Sequence, residues 1–382
     1  MSNKKLLHAI GLCFFLNFSN AIADIAPETI SIEKLEPAHP HRIYLTDLAL
    51  EHVIDGRIHI LNGDNFRYLG LIGTGLFGLT ALSSDSSEML NATAYYSKGT
   101  RGEKTEFLEA YSTEDLTLKA EIPIPPRHAQ ALPYVGTIMP SADDHFVYIQ
   151  NATPASSISI VDRKNERFAS EVTTPGCWII LPSASNMARF STMCGDGTFL
   201  TITHDQKGEV VKQSRSEKLF NADDDPLFVQ AARIGDLFYF VSYLGIIHEI
   251  NVGGETSVLK KSWPLGSVKD LEGGWRPGGY QLIAVDKTSR RLYVAMHSGG
   301  KEGSHKYPGE EIWAVDLKTK KVIQRIAGAN SIAMTLTKER KPYLYLYDGV
   351  EAKIHKYETI PQMKAISVSE PVGEFAGLIQ TH

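Results

Sequence analysis

The sequence predicts an all-β protein folded as a seven-bladed β-propeller, and three observations predict it. Short strand-like runs recur along nearly the whole chain. They join into hairpins of similar build. The hairpins return at a spacing near 45 residues.

The runs are rich in Val, Ile, Tyr and Phe and are bounded by Gly, Asp, Asn and Pro. Examples are "HFVYIQ", "SISIVD", "TFLTITH", "LFYFVSY", "IIHEIN", "RLYVAM", "EIWAVD" and "YLYLYD". Alternating polarity with β-branched and aromatic residues is the pattern of half-buried strands. No long stretch places apolar residues at three-and-four spacing between clear caps, so helices are not expected.

In chain order the hairpins are "RIHILNGDNFRYLGLI", "TEFLEAYSTEDLTLKAEI", "SISIVDRKNERFASEV", "TFLTITHDQKGEVVKQS", "IIHEINVGGETSVLKKS", "EIWAVDLKTKKVIQRI" and "KIHKYETIPQMKAISV". In each, a strand ends in a polar turn and a second strand returns with charged residues on its outer face. Aligned on Asn62, Ser112, Asp162, His204, Asn251, Asp316 and Glu358, they lie 42 to 65 residues apart. Such a period, with four short strands per unit, is that of a propeller blade, whose sheets bury both faces against neighbouring blades. A pair of β-sandwiches is the structural alternative, but it does not explain so regular a period. The units carry no WD or kelch signature and no shared calcium loop, so the repeat speaks for architecture and not for function.

The N-terminus, "MSNKKLLHAIGLCFFLNFSNAIADI", has Lys4 and Lys5, an apolar run from Leu6 to Phe18, then Ala21 and Ala23 at small-x-small spacing. This is the anatomy of a secretory signal peptide cut after Ala23. The run is too short, and too interrupted by Asn17 and Ser19, to span a bilayer about 30 Å thick. Residues 1–23 are therefore assigned to a signal peptide and 24–382 to a single propeller domain in an exported, non-membrane protein. Of 39 basic residues the leader holds Lys4 and Lys5; the remaining 37 against 44 acidic residues give a formal charge of −7. Nucleic acid and anionic lipid both select basic surfaces, so neither is an expected partner.

Cys13 leaves with the leader. Cys177 and Cys194 remain, in "GCWIILPSASNMARFSTMCGDG". In an exported protein two such cysteines most simply form a disulfide, worth about 3 kcal/mol for a loop of this size. A metal or redox pair fits less well, because the spacing is not C-x-x-C and no histidine cluster stands nearby.

The longest interval between hairpins, Asn251 to Asp316, holds "LEGGWRPGGYQ" and "HSGGKEGSHKYPGEE". His297, His305, Glu310 and Glu311 are metal-ligand types, but spacing through Gly, Ser and Pro describes a loop on a face of the disc, without the rigid surroundings ligands need. No metal is expected. "GLIGTGLFG" fails the G-x-G-x-x-G spacing and precedes no helix, so its glycines belong to turns. "NADDDP", Asn221 to Pro226, offers too few ligands for calcium and reads as a turn. The "NAT" triplets at Asn91 and Asn151 are of a kind that arises by chance. There is no G-x-S-x-G nucleophile elbow.

The combination "YIQNATPASSISIVD", "GCWIILP…MCGDGTFLTI", "KQSRSEKLFNADDDPLF", "GGWRPGGY" and "HSGGKEGSHKYPGEEIWAVD" resembles the heavy subunit of quinoprotein amine dehydrogenases. The likeness runs from about "HRIYLTD" to the last hairpin and leans toward the aromatic amine (aralkylamine) branch, with the methylamine dehydrogenase heavy chain as a relative. It implies a seven-bladed heavy chain, two copies of which pair with two small light subunits. Those carry tryptophan tryptophylquinone, and no cofactor is expected on this chain. It further implies a periplasmic enzyme that oxidises primary amines to aldehyde and ammonia and passes electrons to a blue-copper protein or cytochrome c. Catalytic residues are then expected on the partner and none here. Trp178, Trp263, Trp275 and Trp313 become structural residues. The family's bulky channel residue after a glycine turn falls on Leu76 or Phe77 in "GTGLFG". The alternatives are a stand-alone propeller hydrolase or lyase, which requires a metal or a convergent polar ring at the disc centre, and an interaction module without its own redox chemistry.

Overall fold

A computed structural model describes residues 31–382. The signal-peptide expectation lies outside the described residues. From Lys34 to His382 the chain is built from antiparallel strands, and all seven predicted hairpins are present. The one α-helix among the described residues, Val268–Glu272, is held by a capping box in which Ser267 and Asp270 bond each other's backbone N–H. No described helix is long and apolar enough to cross a membrane.

Three sheets contain four strands each, with the sequence order preserved from one edge to the other. Two larger sheets arise because single long strands serve two ladders. Tyr68–Leu82 pairs with Gly56–Asn62 through its first part and with Glu88–Tyr96 from Leu76 onward. Lys321–Leu336 pairs with Gly309–Asp316 and then, from Ser331, with Tyr343–Asp348. The sequence shows four-strand units but not that neighbouring units share one uninterrupted strand; no proline marks the change of partner, and the glycines of "GLIGTGLFG", expected in turns, lie inside the strand Tyr68–Leu82 at that change.

Burial falls across each sheet. Arg42–Asp47, Phe146–Asn151 and Ser157–Asp162 are buried at every residue, whereas Val258–Pro264 and Lys364–Val368 are almost wholly exposed. Apolar clusters fill the spaces between successive sheets. Leu79, Leu90 and Leu108 pack with Ile138, Val147 and Val161, and Tyr239, Val241 and Ile247 pack with Leu292, Val294 and Trp313. Burying both faces of a sheet in this way is what short strands without a closed barrel require.

The two ends of the described chain meet. Ala376–Thr381 pairs antiparallel with Arg42–Asp47. The Asp47 carboxylate accepts the backbone N–H groups of Glu374 at 2.6 Å, Phe375 at 3.0 Å and Ala49 at 2.8 Å. Burial raises its proton affinity, but the approach of His59 and these three donors outweigh that and hold the pKa down at about 2. Gln281 adds a second tie: its amide bonds both the N–H and the C=O of Ile379 at 2.9 Å.

Cys177 and Cys194 face each other on neighbouring strands and form the predicted disulfide.

Candidate functional site

Several edge strands begin around a single cavity of about 630 Å³. Five aromatic side chains stand in its walls: Tyr134, Trp178, Phe228, Tyr243 and Tyr280. Tyr134 and Tyr280 stand with ring centres 6.4 Å apart, and Phe375 meets Tyr280 edge-on at 5.9 Å. Trp178 follows the disulfide directly, so the Cys177–Cys194 bond anchors that wall.

The floor comes from the strand Leu227–Ile234, whose ladder with Leu237–Ser242 is interrupted between Leu227 and Ala231. A bulge of this kind turns consecutive side chains out of the two-fold alternation. Here Phe228, Val229 and Gln230 all reach the cavity. Gln230 is 2% exposed and its amide nitrogen has no hydrogen-bond partner.

The rim is part of "HSGGKEGSHKYPGEE". Tyr243 donates from its hydroxyl to the Lys301 carbonyl and lies 3.2 Å from the Ser304 hydroxyl. The Gly279 N–H donates to the His305 carbonyl at 3.2 Å. These bonds hold Glu302, His305 and Lys306 at the cavity mouth.

The four ligand-type residues of this stretch do not converge. His297 lies at the end of a strand and is fully buried, not on a loop at the surface as its Gly-Ser surroundings suggest. Its ring contacts Tyr307, and its Nδ1 bonds the Ser298 carbonyl at 2.8 Å. Glu310 accepts from the Ser298 backbone and hydroxyl, while Glu311 accepts the Trp313 indole N–H at 2.7 Å. Among the described residues the ligand-type group within mutual reach is His39, His41 and Asp64, which the sequence reading passed over. Both ring nitrogens of His41 are already engaged, one by Asp64 at 2.6 Å and the other by Glu339 at 2.9 Å. Asn221 to Pro226 is a turn closed on the Asn221 side chain, with Asp225 accepting the Leu244 N–H. Asn91 and Asn151 are interior, bonded to Glu109 and to Ser157 and Ser159.

Leu76 and Phe77 sit where the long strand Tyr68–Leu82 changes partner, in a ladder interruption between Leu76 and Leu79. Leu76 is buried and Phe77 half-buried. Phe77 has φ +50°, left-handed backbone in which a bulky residue is uncommon. Gly78 must be glycine, since a Cβ there would come within 2.6 Å of the Thr74 backbone oxygen. The turn is held from beneath. His128 places Nε2 3.4 Å from the Phe77 carbonyl, and its backbone N–H donates to Glu106 at 2.9 Å. Its Nδ1 comes within 2.7 Å of the same carboxylate, off the line of a hydrogen bond, with both side chains wholly buried. Burial acts to raise the Glu106 pKa, but His128 and Lys104 outweigh it and hold the carboxyl below its usual range. Neither Leu76 nor Phe77 lines the aromatic cavity.

Two tryptophans are structural by their contacts. Trp263 donates to Glu249 at 2.9 Å under Lys320, and Trp313 is fully buried beneath Arg325, 3.8 Å above its ring. Trp275 packs on Trp313 with ring centres 5.5 Å apart. Trp178 is the exception, because it faces the cavity.

Four-stranded antiparallel sheets with apolar clusters packed between successive sheets define a propeller-like all-β protein. Residues 39–379 match the family model of the methylamine dehydrogenase heavy chain, and the chain belongs to that family. It is 25% identical over 379 residues to the methylamine dehydrogenase heavy chain of Methylophilus methylotrophus, covering 95% of this chain and 92% of that one. It is 24% identical over 366 residues to the corresponding chain of Paracoccus versutus, covering 94% and 83%. Among solved structures, a dihydro-heme d1 dehydrogenase (TM-score 0.54, 14% identity, 88% of this chain and 75% of that one) shares the fold. So does the hydrazine synthase of Kuenenia stuttgartiensis (TM-score 0.54, 11% identity, 88% and 99%).

Proposed function

We propose that this chain is the heavy, non-catalytic subunit of a periplasmic quinoprotein amine dehydrogenase, folded as a single seven-bladed propeller over residues 24–382. The observation that carries the reading is the family match over residues 39–379. The pairing supports a count of seven: with each long shared strand counted once in each of its ladders, six sets hold four strands, the first completed by Ala376–Thr381, and the set around Arg291–His297 holds five because Arg276–Pro277 and Ile283–Asp286 both pair with it. Residues 1–23 direct export.

In this reading two heavy chains hold two light subunits that carry tryptophan tryptophylquinone. Trp263 and Trp313 of this chain do not fit such a centre. Trp263 and Trp313 are buried, with their indole N–H groups on carboxylates and cations over their faces. When bound nearby, the quinone supplies the oxidation of a primary amine to aldehyde and ammonia, with electrons leaving to a blue-copper protein or cytochrome c. This chain seats the partner, excludes water and walls the approach to the reacting centre.

Of Leu76 and Phe77, the half-buried Phe77 forms that wall, Leu76 being buried. The strained backbone at Phe77, fixed by His128 and Glu106, supports the assignment, because strain persists where the surroundings enforce a functional geometry. A phenyl wall favours aromatic or arylalkyl amines, since apolar contact is worth about 25 cal/mol per Å² removed from water.

The test is amine-dependent dye reduction by the purified chain with and without its light subunit. Turnover only in the presence of the light subunit is expected. Turnover by the isolated chain overturns the proposal and favours a self-sufficient propeller enzyme.

A further inference from the structure

The chain enters its first described strand, Arg42–Asp47, through His39, Pro40 and His41. Both histidine rings are half-buried and stand edge to face with centres 5.6 Å apart. Asp64, in the turn that closes the first hairpin, faces them. One ligand atom from each of the three lies within 4.8 Å of the others. None of these residues lines the aromatic cavity, so the cluster is a separate part of the molecule.

His41 sits between two carboxylates. Its Nδ1 meets Asp64 at 2.6 Å, and its Nε2 meets both oxygens of Glu339, at 3.0 and 2.9 Å. A neutral imidazole has one N–H and one lone pair, so it can donate to only one of them. The other contact sets a lone pair against an anion unless a cation lies between. A second proton fills that place for His41 and Asp64, but it leaves unexplained why a ring nitrogen of His39 approaches the same point. A metal ion uses all three. At metal centres a ligating histidine donates its other N–H to a carboxylate, and a ligating carboxylate is itself hydrogen-bonded. Glu339 takes the first of these places and Lys356, 2.7 Å from Asp64 Oδ1, the second. The rearrangement needed is small. Two bonds of about 2.1 Å at a tetrahedral centre set their ligand atoms ~3.3 Å apart, so the half-exposed Asp64 carboxylate retreats by less than ~1 Å. His39 loses one long hydrogen bond, accepted from the His41 backbone N–H at 3.3 Å.

We propose that His39, His41 and Asp64 bind one divalent transition-metal ion of the zinc class, with water completing its shell. Imidazole nitrogen combined with carboxylate oxygen suits zinc, copper or nickel, whereas calcium and magnesium take oxygen ligands. The Lys356 ammonium opposes a second cation, so the affinity is moderate. The ion's role is structural. It joins the segment before the first strand to the turn of the first hairpin, and through Glu339 and Lys356 to the loop before Tyr343–Asp348 and the strand Ile354–Glu358. The site does not rest on the dehydrogenase reading.

The experiment is calorimetric titration of zinc chloride into the mature protein, together with any subunit that copurifies, after treatment with a chelator that is then removed. One zinc per chain is expected, with micromolar affinity, no competition from calcium and a raised unfolding temperature. His39→Ala and Asp64→Asn should each weaken binding at least tenfold. His52→Ala, at an exposed histidine outside the group, should leave it unchanged. Absence of saturable binding overturns the proposal. So does zinc binding that ignores His39→Ala, which would reduce His41 and Asp64 to an ion pair bridged by a proton. Should a variant fail to fold, anomalous diffraction at the zinc edge from a crystal of the unaltered protein soaked in zinc decides. A peak between His39, His41 and Asp64 supports the site, and a peak elsewhere or nowhere refutes it.

Discussion

Asp47 clasps the end of the chain to its first described strand, and its removal should cost stability in a pH-dependent way. The carboxylate accepts three backbone N–H groups, two of them from Glu374 and Phe375 in the C-terminal segment. Its pKa of about 2 lies below the ordinary 3.8. At 1.36 kcal/mol per pKa unit, that difference corresponds to about 2 kcal/mol of folding stability. For an acid whose affinity for protons is lower when folded, the contribution is complete above pH 4 and is lost as the pH falls toward 2. Asp47→Ala also strands the donors, which adds on the order of 1 kcal/mol. Urea unfolding of the mature protein and of Asp47→Ala, followed from pH 7 to pH 2.5, tests this. The two stabilities should differ by about 3 kcal/mol at pH 7, and the gap should narrow by about half at pH 2.5. A gap below 0.5 kcal/mol at pH 7, or one independent of pH, would refute the clasp.

Three further outcomes follow from the same contacts. Replacing Cys177 and Cys194 by serine should lower stability by about 3 kcal/mol and alter tryptophan emission, because Trp178 adjoins the bridge; unchanged denaturation midpoints under oxidising and reducing conditions would contradict this. Phe77→Ala in the assembled enzyme should raise KM for 2-phenylethylamine about tenfold and leave methylamine nearly unaffected, from the loss of ~1–2 kcal/mol of apolar contact. His128→Asn should reproduce part of that KM change with little effect on kcat, since His128 acts on Phe77 only through its backbone carbonyl; a loss confined to kcat would argue against a positioning role.

The hairpins were legible because strand alternation and polar turns are local signals, and each one, from Asn62 to Glu358, lies at a turn or strand end as expected. The disulfide was legible by elimination once the leader cysteine was set aside. What escaped was non-local. That Tyr68–Leu82 and Lys321–Leu336 each serve two ladders depends on bends that no proline marks, and in the first the run of glycines reads as a turn and not as a strand that continues. The burial of His297 was hidden by the Gly-Ser residues that follow it, which describe the loop and not the strand end. The cavity was invisible for the same reason: Tyr134, Trp178, Gln230 and Tyr280 are brought together by sheets far apart in sequence, and nothing local distinguishes an orphaned Gln230 amide from a solvated one. The glycine turn before Phe77 was recognised, but its left-handed backbone and its support by His128 were not.

The central claim is that this polypeptide seats a smaller redox-active companion and does not itself react with amine. Native mass spectrometry of the chain, tagged and recovered from its own host, with absorbance read on each separated subunit, tests it most directly. Two copies of this chain with two light chains, and visible absorbance confined to the light chains, is the predicted result. A solitary chain that bleaches on addition of amine would contradict it.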